Sequence, residues 1–472
     1  MIRNSLQRRK TLFARSALGA ALAIGMLSGA AIPAQPARAA AAPKLVLSKT
    51  FQPLAVDLKQ VIEAAKTRAD IVAARANLTT AQTALQQARG AARAPAQAGL
   101  DAAVAALGTA LAAEKAKLDG AFAAATSPDD RYMAGNLAIG LGDLARDTRI
   151  QRRGLEAMLG SGKVAPADAP RLQYFLGQFA FDLKDFAAAR TALQAAIAAG
   201  FHESDIDGLL AEAYLSDNQV PQGLTVLKQA IETRNATPNK APAGWYRRGL
   251  GAAYKANLLD QATDFAMSLV KAYPAADNWA GAITVVREVG KFPAQETLDL
   301  MRLMGRTNSY AEERDYIEYI QAADARRLPG ETLKVIEAGI AAGKLRANDP
   351  FVSEARTIAS GRITADRASL VALERDARSP AATAATVSGA ADAFLSYGDA
   401  TKAEALFNLA LGKPGAEQDR VLTRLGIAQL DQGNLAGAQA NFAKVNGQRK
   451  YIAQLWGIYA AQKAAPAPAA AP

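Results

Sequence analysis

The residues that could do chemistry in this chain are few. There is one histidine, His202, in AAGFHESD, and there is no cysteine. A catalytic triad or a histidine-based metal centre would have to use His202. It falls between two helical segments, beside Ser204, which suits a helix N-cap with Asp207 three residues on. The expected role is that of a turn histidine. Lack of cysteine removes thiol catalysis, disulfides and thiolate metal sites. The stretch MLGSGKV (158–164) carries the Gly-Lys of a phosphate-binding loop. That motif needs Gly-x4-Gly-Lys-Ser/Thr after a strand. Here Ala157 stands in place of the first glycine, Val164 in place of the hydroxyl, and a helix precedes. A glycine-terminated helix end is the better reading. Carboxylates cluster in AEERDYIEY (311–319) and ALERDARS (372–379). Acid/base pairs of glycosidase type must face each other across a cleft, whereas alternating charge on a helix marks a solvated face. Acidic calcium loops are absent, and the basic residues lack aromatic interleaving. The expectation is no catalytic residue, no cofactor, no metal and no enzymatic activity.

The elements that carry these residues are helical. Half of the 472 residues are hydrophobic and only 6% are aromatic. Alanine dominates; it costs little in a helix and lets helices approach. Residues 1–39 open with five basic residues, continue through SALGAALAIGML and end on Ala37-Arg38-Ala39. That is the pattern of a secretory signal peptide, and Arg8-Arg9 leaves the twin-arginine route open. The segment holds six basic and no acidic residues, so the charge after cleavage would be +11 − 6 = +5. A bias this weak does not point to nucleic acid. The expected product is periplasmic, with no stable membrane insertion once the signal is removed.

The rest divides by composition and period. Residues 40–125 form an Ala-rich helical region, expected as a long hairpin. From 126 to 445 helical hairpins recur. Leu176-Gly177 and Leu210-Ala211 are 34 residues apart, and Leu250-Gly251 follows after the polar loop TRNATPNKAP. Gly398, Ala403 and Phe407 are echoed by Gly433, Ala438 and Phe442, each 35 residues on. Weaker hairpins are expected around VGKFP, around RRLPGE and, over 349–378, around SGRITAD, where Thr364 or Asp366 would cap a second helix. Residues 446–463 carry the stripe Ile452, Leu455, Trp456, Tyr459 of a capping helix, and 464–472 are a low-complexity Ala/Pro tail.

These spacings resemble the tetratricopeptide repeat (TPR), Trp-x2-Leu-Gly-x2-Tyr…Ala-x3-Phe. LGAAY (250–254) supplies the first part, and AEALF and AQANF supply Ala-x3-Phe; the tryptophan position is not kept, so individual units are degenerate. RRLPGETLKVI and SGRITADRASL are similar to segments of exported alphaproteobacterial TPR proteins of unassigned activity. The resemblance implies an all-α fold: an α-solenoid of TPR-like hairpins in a right-handed superhelix, with the Ala-rich hairpin before it and the capping helix after it. It also implies a concave groove, lined by first helices, that takes a protein or peptide partner. Counted from the Leu-Gly pairs, the groove-facing residues are Tyr174, Gln178, Phe181, Glu212, Trp245, Arg248, Lys255, Gln321, Asp324 and Asp392. Tyr174 and Gln178 stand where a carboxylate clamp has Lys and Asn, so that binding mode is not expected. A non-enzymatic scaffold in the cell envelope is the leading reading. The alternatives are a murein-acting enzyme of helical superhelix type and an outer-membrane assembly accessory.

The register makes Ala438 a close-packing position. Ala438→Leu should cost about 1–3 kcal/mol by overpacking, read as a lowered thermal midpoint; a neutral substitution would contradict the register.

Overall fold

The computed structural model describes residues 45–203 and 205–464. The signal segment, the Ser204 cap and the tail from 465 onward lie outside the described residues, which hold twenty-two α-helices and no strand. They divide into two compact units, one up to Ala230 and one from Ile231.

In the first unit the Ala-rich region is four helices rather than one hairpin. They are α1 (Gln52–Ala65), α2 (Ala69–Gln87), α3 (Arg93–Ala110) and α4 (Ala112–Ala124), followed by α5 (Pro128–Ala145) and α6 (Thr148–Gly160). α2 and α3 do pair, but α1 packs on α4 and α5. Phe51, Leu58, Ile62, Ile71, Leu107, Leu111, Leu118 and Leu141 share one core. The distal part of the α2–α3 pair, between Leu78 and Leu107, buries no residue, consistent with its weak apolar period. α5 begins with a capping box: Ser127 Oγ accepts from Asp130 N, and the Asp130 carboxylate accepts from Ser127 N, both at 3.1 Å. The same carboxylate accepts from Ser48 N at 2.9 Å and so ties down the chain entering α1. The hairpins continue with α7 (Ala169–Asp182), α8 (Phe186–Ala198) and α9 (Ile206–Ser216); α10 (Val220–Asn235) spans the boundary.

The repeat is carried by one crossing. A Cβ built on Gly177 would lie 2.6 Å from Leu193 Cγ, and one on Gly426 would lie 2.5 Å from the Phe442 ring. Both partners follow their glycine by sixteen residues, so a first-helix residue without a side chain receives a bulky residue from the second helix. Ala391 and Phe407, buried at the same spacing, repeat the arrangement. In α11 (Ala243–Lys255) and α12 (Leu259–Ala272) the crossing glycine is Gly249, against the Phe265 ring, not the expected Gly251. Gly249-Leu250-Gly251 offers a glycine in two frames two residues apart, and the packing against Phe265 selects the earlier one. That frame makes Trp245 the repeat's tryptophan, four residues before the glycine. Each turn between paired helices also carries a residue with positive φ: Lys184, Asn218, Asn257, Gly398 and Gly433. Glycine takes this conformation without strain at the last two. Asp185, Asp399 and Asn434 then cap the second helices by accepting from backbone N–H groups at 3.0–3.1 Å.

The second unit continues with α13 (Ala276–Gly290), α14 (Ala294–Arg306), α15 (Glu313–Ala323) and α16 (Pro329–Ala341). The hairpin expected over 349–378 is instead one helix of 28 residues, α17 (Pro350–Ala377), about 42 Å long. Nothing in SGRITAD stops it: Gly361 stays helical, and Asp366 accepts from the Tyr397 hydroxyl at 2.7 Å rather than capping a helix. Next come α18 (Ala384–Ser396), α19 (Ala400–Leu411), α20 (Gln418–Asp431), α21 (Leu435–Phe442) and α22 (Lys450–Ala464).

The expected stripe of α22 is buried, and Trp456 stacks on Phe442 with ring centroids 6.1 Å apart. This helix does more than cover α21: it packs on α12, α13 and α14 as well, so the second unit closes on itself. A buried charge cluster sits at the closure. Asp299 of α14, fully buried, accepts from Arg424 Nε of α20 at 3.0 Å, from Arg302 Nη1 at 3.3 Å and from Arg449. Its backbone carbonyl accepts from Trp456 Nε1 at 3.0 Å. Arg424 also donates to Asp392 of α18 at 2.5 Å, and Arg302 forms a two-pronged pair with Glu331 at 2.7 Å on both arms. Burial pushes the Asp299 carboxyl up, but Arg424, Arg449 and Arg302 outweigh it and hold it below the usual carboxylate range. Asp392 and Glu331 are held low in the same way, chiefly by Arg424 and by Arg302 respectively.

Removing one partner of such a cluster leaves buried charge uncompensated. Asp299→Asn should therefore destabilise the second unit by about 3–5 kcal/mol. The pH dependence follows from the same shifts. Unfolded carboxyls titrate near 4, and the folded values lie lower, so the unfolded chain takes up protons first as the pH falls. The stabilisation is complete above about pH 4 and is lost as the pH falls through the depressed folded values. Thermal melts at pH 7 and pH 3 should show a larger drop for the parent chain than for Asp299→Asn; equal drops would contradict the assignment.

Candidate partner-binding site

The ten groove candidates separate by burial once the crossings are placed. In the first unit Tyr174 is buried, stacked on Phe201 (5.1 Å between centroids) and edge-on to Phe175 (5.3 Å). Phe181 is half-buried and packs at a tilt on Phe186 at 5.5 Å. Gln178 is half-buried, and its Oε1 has no hydrogen-bond partner among the described residues. Glu212, also half-buried, accepts from the Ser216 hydroxyl at 3.2 Å.

In the second unit Trp245 is 6% exposed because it fills the motif's tryptophan position, while Arg248, Lys255 and Gln321 are exposed on α11 and α15. Asp324 is exposed, but it lies past the end of α15 as its C-cap, with φ +60°, and its carboxylate accepts from Arg326 N at 2.9 Å. Asp392 follows the crossing residue Ala391 and turns into the charge cluster, where Arg420 and Arg424 both hold its Oδ2, at 2.6 and 2.5 Å. Three corrections follow. Tyr174, Trp245 and Asp392 are interior residues, because one position along a helix rotates a side chain by about 100°, enough to turn it from solvent to core. The candidates exposed on first helices are Arg248, Lys255 and Gln321 in the second unit; Gln178, Phe181 and Glu212 in the first are half-buried.

His202 is exposed in the connection between α8 and α9. MLGSGKV is a helix end: Ser161 is the C-cap of α6, its hydroxyl donates to the Met158 carbonyl at 2.6 Å, and Gly162 takes φ +68°. Lys163 pairs with Asp129 at 2.8 Å. In AEERDYIEY, Asp315 closes a capping box with Glu312, Glu318 pairs with Arg287, and Glu313 is exposed. Among the described residues no group of three or more His, Asp or Glu side chains is placed to hold a metal ion, and no single helix is long and apolar enough to cross a membrane.

The charge cluster escaped the reading of repeats, although one signal was present. In TLDLMRLM, Asp299 and Arg302 stand in a run whose every other residue is apolar except the leading threonine. Charges inside such a run must be paired when the helix is buried on all sides, as α14 is from Thr297 to Met304. The sequence does not say that the partners come from α20 and from the turn before α22.

The burial pattern gives a direct test. Trp245→Ala should cost about 3–5 kcal/mol in stability. Substitutions of Arg248, Lys255 or Gln321 should stay within about 0.5 kcal/mol. Chemical denaturation of the four variants checks both.

No family model and no curated protein sequence matches the chain. Among solved structures it is similar to the TPR2AB domain of yeast Sti1 in complex with pHSP90, at 15% identity, covering 63% of this chain and 96% of that one, with a TM-score of 0.23. It is similar to a tetratricopeptide repeat protein from Parabacteroides merdae at 12% identity, covering 62% and 98%, also at 0.23. It is similar, too, to a chain of the Cut9–Hcn1 hetero-tetramer at 10% identity, covering 86% and 93%, at 0.18. Superpositions this loose carry no weight of their own. The crossing geometry and the recurring turns carry the assignment: the chain is an all-α array of TPR-like helical hairpins.

Proposed function

We propose that the protein is a non-enzymatic scaffold of the cell envelope that binds a protein partner along the exposed faces of its first helices. The observation that carries this reading is the split within α11. Trp245 and Gly249 are committed to packing, whereas Arg248 and Lys255 of the same helix are exposed, and Gln321 adds an exposed amide on α15. Arginine is enriched at recognition surfaces, and a repeat array presents such residues on rigid elements. Export is supported by the basic, apolar and Ala-x-Ala succession of residues 1–39.

A photo-crosslinking residue at position 248 or 321 in living cells should capture a discrete protein partner, identified by mass spectrometry, that the same residue at the exposed position 371 does not capture. Failure to enrich any partner under several growth conditions would overturn the scaffold reading. Cell fractionation with N-terminal sequencing should find a periplasmic chain beginning at Ala40; an uncleaved chain confined to the cytoplasm would overturn the export.

A further inference from the structure

We propose that the outer face of α17 is a self-association surface, on which a second copy of this chain docks antiparallel. α17 packs on α16 and α18, and the residues it buries are Val352, Ala355, Ala359 and Ala377. The opposite side of the helix carries Thr357, Gly361, Ala365, Ala368, Val371 and Ala372, all exposed, Val371 to 77%. At about 100° per residue they fall in one sector of the helix. The solvent side of a surface helix is ordinarily charged or polar. This side holds no charge between Glu354 and Arg375, which stand 21 residues, or about 32 Å, apart.

Those two residues name the occupant. They lie in the same sector, one at each end, with opposite sign. Glu354 is exposed and makes no hydrogen bond or ion pair among the described residues, and Arg375 meets only the adjoining Asp376. The charges beside the face are turned to their own molecule. Arg356 pairs with Glu337 at 2.7 Å, Arg367 lies over the Tyr397 ring at 5.1 Å, and Glu374 pairs with Arg378 and Lys402. Arg362 lies on the flank away from the face. A second copy rotated about the midpoint between Thr364 and Ala365 sets Glu354 against Arg375 at both ends. The same rotation sets Gly361 against Ala368 and Thr357 against Ala372, so no bulky pair holds the helices apart. One two-fold axis thus satisfies charge and shape together, as an isologous interface requires; a parallel copy would stack like charges. Exposed ion pairs add little affinity. Here they set orientation, and burial of Val371 and the alanines supplies the attraction. A single helix pair falls at the small end of specific interfaces, below about 1,200 Å², so association in the micromolar range is expected. The inference goes beyond the scaffold reading and does not rest on it: a photo-crosslinker at position 371 would return this chain itself.

Sedimentation velocity of the full chain across micromolar concentrations should show a monomer–dimer equilibrium. It should weaken at least tenfold in Ala368→Glu and less than twofold in Ala76→Glu, at an exposed position of α2. Glu354→Arg and Arg375→Glu should each weaken it, and the two together should restore it; a double variant as weak as the single ones would overturn the charge pairing. The chain has no cysteine, so single introduced thiols read the orientation. Thr364→Cys, beside the axis, should crosslink to its own copy under oxidising conditions. Thr357→Cys, about 22 Å along the helix from its counterpart, should not. Equal crosslinking from both positions would overturn the antiparallel arrangement. A chain monomeric at all these concentrations, or a dimer indifferent to Ala368→Glu, would overturn the proposal; so would a monomeric chain that crosslinks in cells from position 364 to a different protein. Should Ala368→Glu lose its helical circular dichroism, Ala365→Lys takes its place with the same expectation.

Discussion

The second unit depends on one carboxylate. Asp299 has no exposure to solvent, yet it is met by arginines from its own helix, from α20 and from the turn before α22. Those contacts join residues 125 and 150 positions apart. A buried ion pair is often no more stabilising than apolar residues of the same size, since desolvation offsets the attraction. What it supplies here is selectivity: only the arrangement that brings α14, α20 and α22 together satisfies the charge. An apolar seam would tolerate sliding; a fully desolvated aspartate does not.

Around that constraint the packing rule is simple and local. A glycine or alanine on a first helix receives a leucine or phenylalanine from the second, and the turn between them takes a positive φ. Each hairpin is specified within about 34 residues, but none can bury its apolar faces alone. In a linear array the last apolar face needs a cover, and α22 provides it over α21. By reaching α12, α13 and α14 as well, α22 turns a cover into a closure, through the Trp456 bond to the Asp299 carbonyl and through Gln462 Nε2, which donates to the Val270 carbonyl at 2.7 Å. Residues that an open array would present to a partner are then spent on the protein itself, as Asp392 is.

Local features were therefore legible in the sequence and distant ones were not. Ala403–Phe407 and Ala438–Phe442 announce their hairpins because both partners of each crossing lie in one unit. The crossing at Gly249 lies two residues before the glycine of LGAAY, because Gly249-Leu250-Gly251 offers two frames and only the packing against Phe265 chooses between them. The long α17 was divided because its spacing equals a hairpin's, while the local residues contain no proline and no left-handed glycine to break it. The surface candidates fared worst. Tyr174, Trp245 and Asp392 look like recognition residues by type, but a shift of one or two positions along a helix exchanges solvent for core. Pairing between Asp299 and Arg424 is a property of closure, which no short-range pattern encodes.

The central claim is that α14, α20 and α22 form one cooperative closure, and native-state hydrogen exchange reads it most directly. Local openings exchange independently and cooperative ones together. The slowest amides of α14, α20 and α22 should share one opening free energy in the full chain. Rapid exchange throughout α22 while α14 and α20 remain protected would show a helix merely resting on the array, and would contradict the account.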